Sequence, residues 1–378
     1  MRVLVAPDKF KGTLTAPEAA QAIATGWRRG DPSSEVETIP MADGGEGTLD
    51  ALVSALNGER FTERVAGPLG DPVTAEFGVV EAREGRTGVV EMARASGLEL
   101  LSPGRREPKR TTTRGTGELI LAACRQGVRR VVVCIGGSAT NDAGAGMAQA
   151  LGARLLDAGG REIRAGGAAL LDLARIDVTT MDRAVSGVEF LVATDVDNPL
   201  TGPTGASSVY GPQKGASAED VRLLDDALRH FAAVVYRDLG VDIREVPGAG
   251  AAGGLGGGLI AFFGAKLRRG IDVVMEAVRF RTRMEGADLV VTGEGRLDEQ
   301  SLRGKVVDGV IGVANELRIP VMVLCGEQRI EVPGIEVHSL IERFGREAAF
   351  DRVRQVLPDL AAEAAGRARS ERADDQSG

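Results

Sequence analysis

The sequence predicts an α/β protein of two domains: a doubly wound parallel sheet built from both chain ends, with a second α/β domain inserted into it. Three observations carry this. At 378 residues the chain is too long for one ordinary core. A strand-then-helix rhythm opens the chain and returns near its end. Between them the texture changes to alternating residues and glycine-rich loops, which predicts a mixed sheet for the inserted domain.

Residues 2–6, "RVLVA", read as a short buried strand. A helix over 18–29 follows, with Ala20, Ile23, Ala24 and Trp27 on one stripe and Thr15 before Pro17 as its cap. A second strand over about 36–40 ends at "MADGGEGTLD" and enters a helix carrying Leu49, Leu52, Val53 and Leu56. Residues 59–100 alternate apolar and polar between Gly-Pro and Asp-Pro turns, as antiparallel strands do. Residues 115–157 read as helix, strand, glycine loop and helix. An apolar strand, "VEFLVAT", covers 188–194, and a helix over 219–239 places Val221, Leu224, Leu228, Phe231 and Val235 on one face. The opening rhythm resumes at "ADLVVT" (287–292), which ends at "GEGRLDEQ". A helix with Val306, Val310, Ile311, Ala314 and Leu317 comes next, then the strand "PVMVLCGE". The expected division is 1–58 with 284–378 as one domain and 59–283 as the inserted one. The tail from about 366, "GRARSERADDQSG", shows no apolar period and is expected to be disordered.

A net charge of −8, without a basic run interleaved with aromatics, argues against a nucleic-acid surface. No run of 18 apolar residues is present to span a membrane, and "MRVLVAPDKF" reaches Pro and Asp too soon for a signal peptide. Cys124, Cys134 and Cys325 lack metal-type spacing and suit a reducing compartment, so a cytoplasmic location is expected. A homo-oligomer is left open. Of 46 Lys plus Arg only six are lysine, and four of those, Lys9, Lys11, Lys214 and Lys305, lie at or near a glycine in a polar loop. A compact ammonium on a flexible stem suits a phosphate oxygen.

Loops after the strands of a parallel sheet share one edge, where ligands bind. "PDKFKG" (7–12), "MADGGEG" (41–47), "TGEGRLD" (292–298) and "CGEQ" (325–328) are expected there, collecting Asp8, Lys9, Lys11, Asp43, Glu46, Glu294, Arg296 and Asp298. Mixed carboxylates and cations fit phosphate with Mg²⁺ better than either charge alone. The inserted domain adds "VVCIGGSATNDAGAG" (132–146), whose surplus of amides and hydroxyls beside a carboxylate suits an anion and a metal. It also adds 193–215, with Asp195, Asp197, Asn198, Gln213 and Lys214, and the stretch "GAGAAGGLGGG" (248–258). The last matches GxGxxG on paper, but no convincing strand precedes it. His230 and His338 lack ligand-spaced partners and read as structural. No Ser-His-Asp or Cys-His set is apparent, and "SLRGKVV" is not a Walker A loop, for it lacks the upstream glycine and the Ser or Thr after Lys.

The motifs "APDKFKGTLTAPEAA", "PMADGGEGT", "TTRGTGELI", "CIGGSATNDAGAGM", "ATDVDNPL", "YGPQKGA", "GAGAAGGLGGGL" and "TGEGRLDEQSLRGK" resemble those of the type-1 glycerate kinases, in the same order over nearly the whole chain. The resemblance implies two α/β domains, one flavodoxin-like with the other inserted, and ATP-dependent phosphorylation of D-glycerate with the active site in the interdomain cleft. The 2-hydroxyl is favoured as acceptor, with the 3-hydroxyl as the alternative. Such a reaction needs a carboxylate base and cations around the transferring group. Asp195 is the candidate base; Lys9 and Lys214 are catalytic candidates that, with Lys11 and Lys305, would face phosphates. Arg296 would hold the glycerate carboxylate. Asp43, Glu294, Asp142 and Asp298 are the Mg²⁺ candidates. Asp8, Gly44, Gly45, Gly136, Gly137, Ser138, Thr140, Asn141, Asn198, Gln213, Gly253, Gly254 and Gly256 complete the expected substrate and phosphate contacts. Two other readings compete: a nicotinamide-dependent hydroxy-acid dehydrogenase, resting on "GAGAAG" alone, and a non-enzymatic sensor of sugar acids or nucleotides.

Overall fold

The structure, a computed structural model, describes residues 1–83 and 85–375. Its strands in chain order are β1 (Arg2–Val5), β2 (Glu35–Thr38), β3 (Glu59–Ala66), β4 (Pro72–Ala82), β5 (Gly85–Glu91), β6 (Arg130–Cys134), β7 (Arg154–Leu156), β8 (Arg175–Asp177), β9 (Glu189–Ala193), β10 (Lys266–Arg268), β11 (Leu289–Leu297), β12 (Val321–Gln328) and β13 (Glu336–Ser339). The chain divides into two compact units. One comprises Met1–Asp43, Asp50–Asn57 and Ile271–Gly378, the other Gly44–Leu49 and Gly58–Gly270.

The first unit holds a five-stranded sheet in the order β13-β12-β11-β1-β2, parallel throughout. Helix Ala16–Gly30 forms as its sequence dictates. Thr15 Oγ1 accepts the Glu18 amide while Glu18 Oε2 accepts the Thr15 amide, so two otherwise orphaned donors are satisfied. Its expected stripe, Ala20, Ile23, Ala24 and Trp27, is buried. That stripe packs on helix Val353–Asp375, which contributes Leu357, Leu360, Ala361, Ala364 and Ala365. A Cβ on Gly26 would collide with the Pro358 carbonyl oxygen, and one on Gly30 with that of Ala362. The two backbones approach closely because both faces are small.

Part of the tail expected to be disordered from about 366 is helical here, while residues 376–378 of it lie outside the described residues. The helix continues to Asp375, with Ala368 against the same core and Arg372 paired with the fully buried Asp31 at 2.9 Å. Alanines at helical spacing form an apolar face too weak to stand out by hydropathy, yet well matched to glycines opposite.

A correction concerns "TGEGRLD" and "CGEQ", expected as loops. Both are strand as far as Leu297 and Gln328: β11 and β12 stay paired through Arg296↔Glu327 and Leu297↔Gln328. Their glycines admit close approach of neighbouring backbone, since a Cβ on Gly293 would strike the Leu324 carbonyl and one on Gly326 that of Gly295.

The second unit holds a six-stranded mixed sheet in the order β10-β9-β6-β5-β4-β3, with β10, β9, β6 and β5 parallel and β4 and β3 antiparallel. A β7-β8 hairpin stands apart from it. Helix Ala218–Leu239 starts at a Ser217–Asp220 capping box and buries Leu224, Leu228, Phe231 and Val235. Among the described residues, no helix is long and apolar enough to cross a membrane.

Candidate functional site

In the first unit, the segment after β1 and the later half of β11 bring Asp8 and Glu294 together with Asp43, which follows β2. The Asp8 amide donates to the Gly293 carbonyl at 2.8 Å and the Met41 amide to the Pro7 carbonyl at 2.9 Å, which fixes the three segments side by side. Asp8 is 8% exposed. Burial, then the Asp43 charge, pushes its pKa up to about 7, against an opposing pull from Lys9. Glu294 is also pushed up to about 7, first by burial, with Ser301 and Lys305 lowering it and Asp298 and Asp43 raising it. Among the described residues its Oε1 is buried with no hydrogen-bond partner. Asp8, Lys9, Asp43, Glu294, Asp298 and Lys305 are therefore one electrostatic cluster. Carboxylates gathered this closely, with Asp8 and Glu294 both raised in proton affinity, suit a cation.

Other candidates of this unit are placed differently. Asp298 caps the turn that follows β11, its Oδ1 accepting the Gln300 amide at 2.9 Å. Arg296 lies opposite Glu327 in the ladder and donates to it from Nε at 3.0 Å. The side chain, expected to hold the glycerate carboxylate, is half-exposed and pairs with Glu327 through that one nitrogen. Lys11 is exposed at the turn ending in Gly12. Among the described residues, no group of three or more His, Cys, Asp or Glu is arranged to hold a metal ion alone.

In the second unit, β5, β6, β9 and β10 run parallel, so Glu91, Gly136–Gly137, Asp195 and Arg268–Gly270 emerge along one edge. Gly136 and Gly137 are exposed, with Gly137 at φ +73°. Neither glycine's amide has an acceptor among the described residues, while the carbonyls of the turn face inward. Gly137 O accepts the Leu98 amide at 2.8 Å and Ala139 O accepts Thr111 Oγ1 at 2.9 Å. Asp195 is exposed just beyond β9, and its Oδ1 accepts the Gly270 amide at 3.1 Å. Gly44, at φ +86°, has no room for a Cβ against Gly270, and Gly45 lies beside Gly136.

Several expected contacts face inward. Asp142 is 1% exposed, and its Oδ2 accepts the amide and hydroxyl of Thr113 and the Gly146 amide, while Oδ1 accepts the Gly144 amide. Its lone pairs clamp the loop, so the residue expected among the metal ligands is engaged by protein donors. Lys214 is also buried, at 2% exposure, and donates to Ser138 Oγ and Thr140 O, both at 2.7 Å. Its contacts are protein atoms where a phosphate was expected.

Asn198 spends its amide on Thr204 O and its Oδ1 on the Tyr210 hydroxyl, folding its own loop. Asn141 donates to Ser207 Oγ at 3.0 Å, whereas Asn141 Oδ1 and Thr140 Oγ1 are buried without partners. Gln213 is exposed on the turn Pro212–Lys214. Gly253, Gly254 and Gly256, expected among the phosphate contacts, lie against neighbouring backbone. A Cβ on Gly253 would strike Thr140 O, one on Gly254 would press on Ala143, and one on Gly256 would strike Gly248 O. The Ala143 amide also donates to Gly253 O at 3.0 Å. The two glycine stretches thus pack against each other. No strand directly precedes 248, so the dinucleotide fingerprint has no βαβ unit around it.

The sequence reading missed Glu91, Arg268 and Arg269. Glu91 is buried at the end of β5, where Oε1 accepts the Leu49 amide at 2.8 Å and Oε2 accepts Arg94 Nε. Arg268 and Arg269 flank Asp195 on the neighbouring strand end; the signal was a double Arg immediately before a Gly that opens helix Gly270–Ala277.

Residues 3–367 match the sequence profile of the glycerate kinase family. The chain is 48% identical over 340 residues to a glycerate kinase of Bacillus subtilis (strain 168), covering 90% of this chain and 88% of that one. It is 46% identical over 340 residues to a glycerate 2-kinase of Escherichia coli (strain K12), covering 90% and 89%. A crystal structure ascribed to glycerate kinase 2 from Salmonella typhimurium LT2 superposes with a TM-score of 0.89 at 43% identity, over 98% of this chain and 99% of that one.

Proposed function

The chain belongs to the glycerate kinase family and is a phosphotransferase; from that premise we propose that it transfers the γ-phosphoryl group of ATP to the 2-hydroxyl of D-glycerate. The observation that carries the chemistry is Asp195, an exposed carboxylate at the end of β9, beside two glycines at the end of β6 whose amides have no acceptor among the described residues. Phosphoryl transfer asks little covalent chemistry of the protein. It asks for a carboxylate to take the hydroxyl proton and for fixed donors around the transferring group. Asp195 takes that proton, its carboxylate oriented by the Gly270 amide. The amides of Gly136 and Gly137 receive phosphate oxygens, as N–H groups in a left-handed turn do.

The donor set in the first unit fits Mg²⁺. Asp8, Asp43 and Glu294 repel one another, and Glu294 Oε1 is buried without a partner among the described residues. Mg²⁺ is usually held by one or two carboxylates together with phosphate oxygens and water, so Asp43 and Glu294 are its proposed ligands. Bound there, the ion neutralises charge on the phosphates. Lys9 and Lys305 add positive charge at the same strand ends. Three buried free thiols suit the reducing cytoplasm, where we place the enzyme.

The 2-hydroxyl is supported by the name of the Escherichia coli relative, glycerate 2-kinase. Phosphorus NMR of the product from ATP, Mg²⁺ and D-glycerate tests activity and position together. A phosphorus doublet, from coupling to one carbon-bound proton, is expected for the 2-phosphate. A triplet moves the transfer to the 3-hydroxyl, and no turnover removes the reading.

A further inference from the structure

We propose that Lys214 is a positioning residue for nucleotide binding: its buried amine pins Ser138 and Thr140 from beneath and so holds the Gly136–Gly137 turn in the shape that offers its amides outward. The inference rests on the reading of that turn as a phosphate cradle. Lys214 sits on the short turn Pro212–Lys214, far along the chain from the loop it supports. Its Nζ donates to the Ser138 hydroxyl and the Thr140 carbonyl at 2.7 Å each, and the side chain is 2% exposed.

The other supports of the turn come from elsewhere: the Leu98 amide on Gly137 O, the Ser96 carbonyl on the Ala139 amide, and Thr111 Oγ1 on Ala139 O. Among the described residues, Lys214 is the donor to the segment's next carbonyl, that of Thr140. Without it the buried Thr140 O loses its donor, and a carbonyl in that position turns toward water or a neighbouring amide. Rotating that peptide tilts its neighbours, and the exposed amides of Gly137 and Gly136 lie three and four residues back in the same short loop. A buried amine is an expensive support, because desolvation opposes its charge. A four-carbon stem is nevertheless what the reach from residue 214 requires, and the Asp142 carboxylate below the loop supplies an opposite charge that favours the ammonium.

The test compares Lys214→Met, Lys214→Ala and Ser138→Ala with the unmodified full-length chain, measuring MgATP affinity by calorimetry and both Michaelis constants. For Lys214→Met we expect MgATP affinity to fall by about tenfold or more with the KM for glycerate within about twofold. Propylamine, which fits the cavity left in Lys214→Ala, should restore part of that affinity and leave Lys214→Met unchanged. Ser138→Ala removes one acceptor without disturbing the core, and keeps the proposal testable if both lysine variants fail to fold. It should weaken MgATP binding in the same nucleotide-specific way. Unchanged affinity in Ser138→Ala overturns the proposal, because a lysine that touched phosphate directly would not need that hydroxyl. Equal losses for both substrates, or no rescue by propylamine, overturn it as well. Gly137→Ala separates the two levels. If it binds MgATP normally, the cradle reading fails and takes this one with it. If it weakens binding while Lys214→Met does not, only the role of Lys214 is lost.

Discussion

The Asp142 carboxylate accepts both the amide and the hydroxyl of Thr113, at 2.8 and 3.0 Å, and so ties the start of helix Arg114–Arg125 to the loop after β6. Two further amides, of Gly144 and Gly146, converge on the same group. Asp142→Ala strands all these buried donors, at roughly 1–3 kcal/mol for each group left unsatisfied. We expect a stability loss of about 3 kcal/mol or more in urea unfolding. A variant within about 0.5 kcal/mol of the parent would show that the clamp does not hold the loop.

Asp195→Asn should lower kcat by roughly a hundredfold or more, the scale of general-base assistance, while MgATP affinity stays near the parent value. Steady-state kinetics with calorimetric nucleotide binding measure both. If affinity for MgATP falls instead and added Mg²⁺ recovers part of the rate, the carboxylate is a metal ligand. Near-normal turnover would exclude both roles.

Gly26→Ala isolates the contact between helices Ala16–Gly30 and Val353–Asp375. Helix propensity alone favours the change by about 0.8–1.0 kcal/mol. The new Cβ would meet the Pro358 carbonyl, and overpacking of this kind costs about 1–3 kcal/mol. A net loss of stability is expected on thermal unfolding. Gly312, in helix Val306–Leu317, has open space around it, so Gly312→Ala should stabilise. Equal gains at both positions would deny the close approach.

The amine of Lys214 is pushed down to about 7 by burial, against an opposing pull from Asp142. An unfolded lysine titrates near 10.4, so between about pH 7 and 10 the unfolded chain binds more protons than the folded one. Stability contributed at this position is therefore highest above that window and is lost as pH falls to 7; below 7 both states are protonated and the dependence ends. The difference in melting temperature between the parent chain and Lys214→Met should be flat from pH 6 to 7 and should grow in the parent's favour toward pH 10. A difference independent of pH over that range would mean that the buried amine keeps its ordinary proton affinity.

What could be read beforehand follows a physical divide. Helices with large apolar side chains, such as those carrying Trp27 or Phe231, announce their buried faces through period alone. The helix carrying Ala361, Ala364 and Ala365 did not, because its partner face is built from Gly26 and Gly30, and fit between small residues leaves little trace in hydropathy. Gly293 and Gly326 looked like turn residues, yet they serve close contact between backbones inside a sheet. Polar residues in glycine loops were legible as a group, but not which way each one faces. Asp142, Asn198 and Lys214 are satisfied by the protein, whereas Asp195 and Gly136–Gly137 stand at the surface. Residue type names the chemistry available; only the three-dimensional partners decide whether ligand or loop uses it.

The ladder that pairs Val3 with Leu289 bears on synthesis at the ribosome. Strand β1 lies inside its sheet between β11 and β2, and β11 is made only after the whole second unit has been translated. At about 5–20 residues per second, the nascent amino-terminal strands wait tens of seconds for β11, exposing β1 edge backbone and the apolar stripe around Trp27 meanwhile. The second unit takes no strand from outside residues 58–270 and can complete its sheet during that interval. The protein is thus set to fold from the middle of its chain outward, and its early residues are the ones most in need of a chaperone.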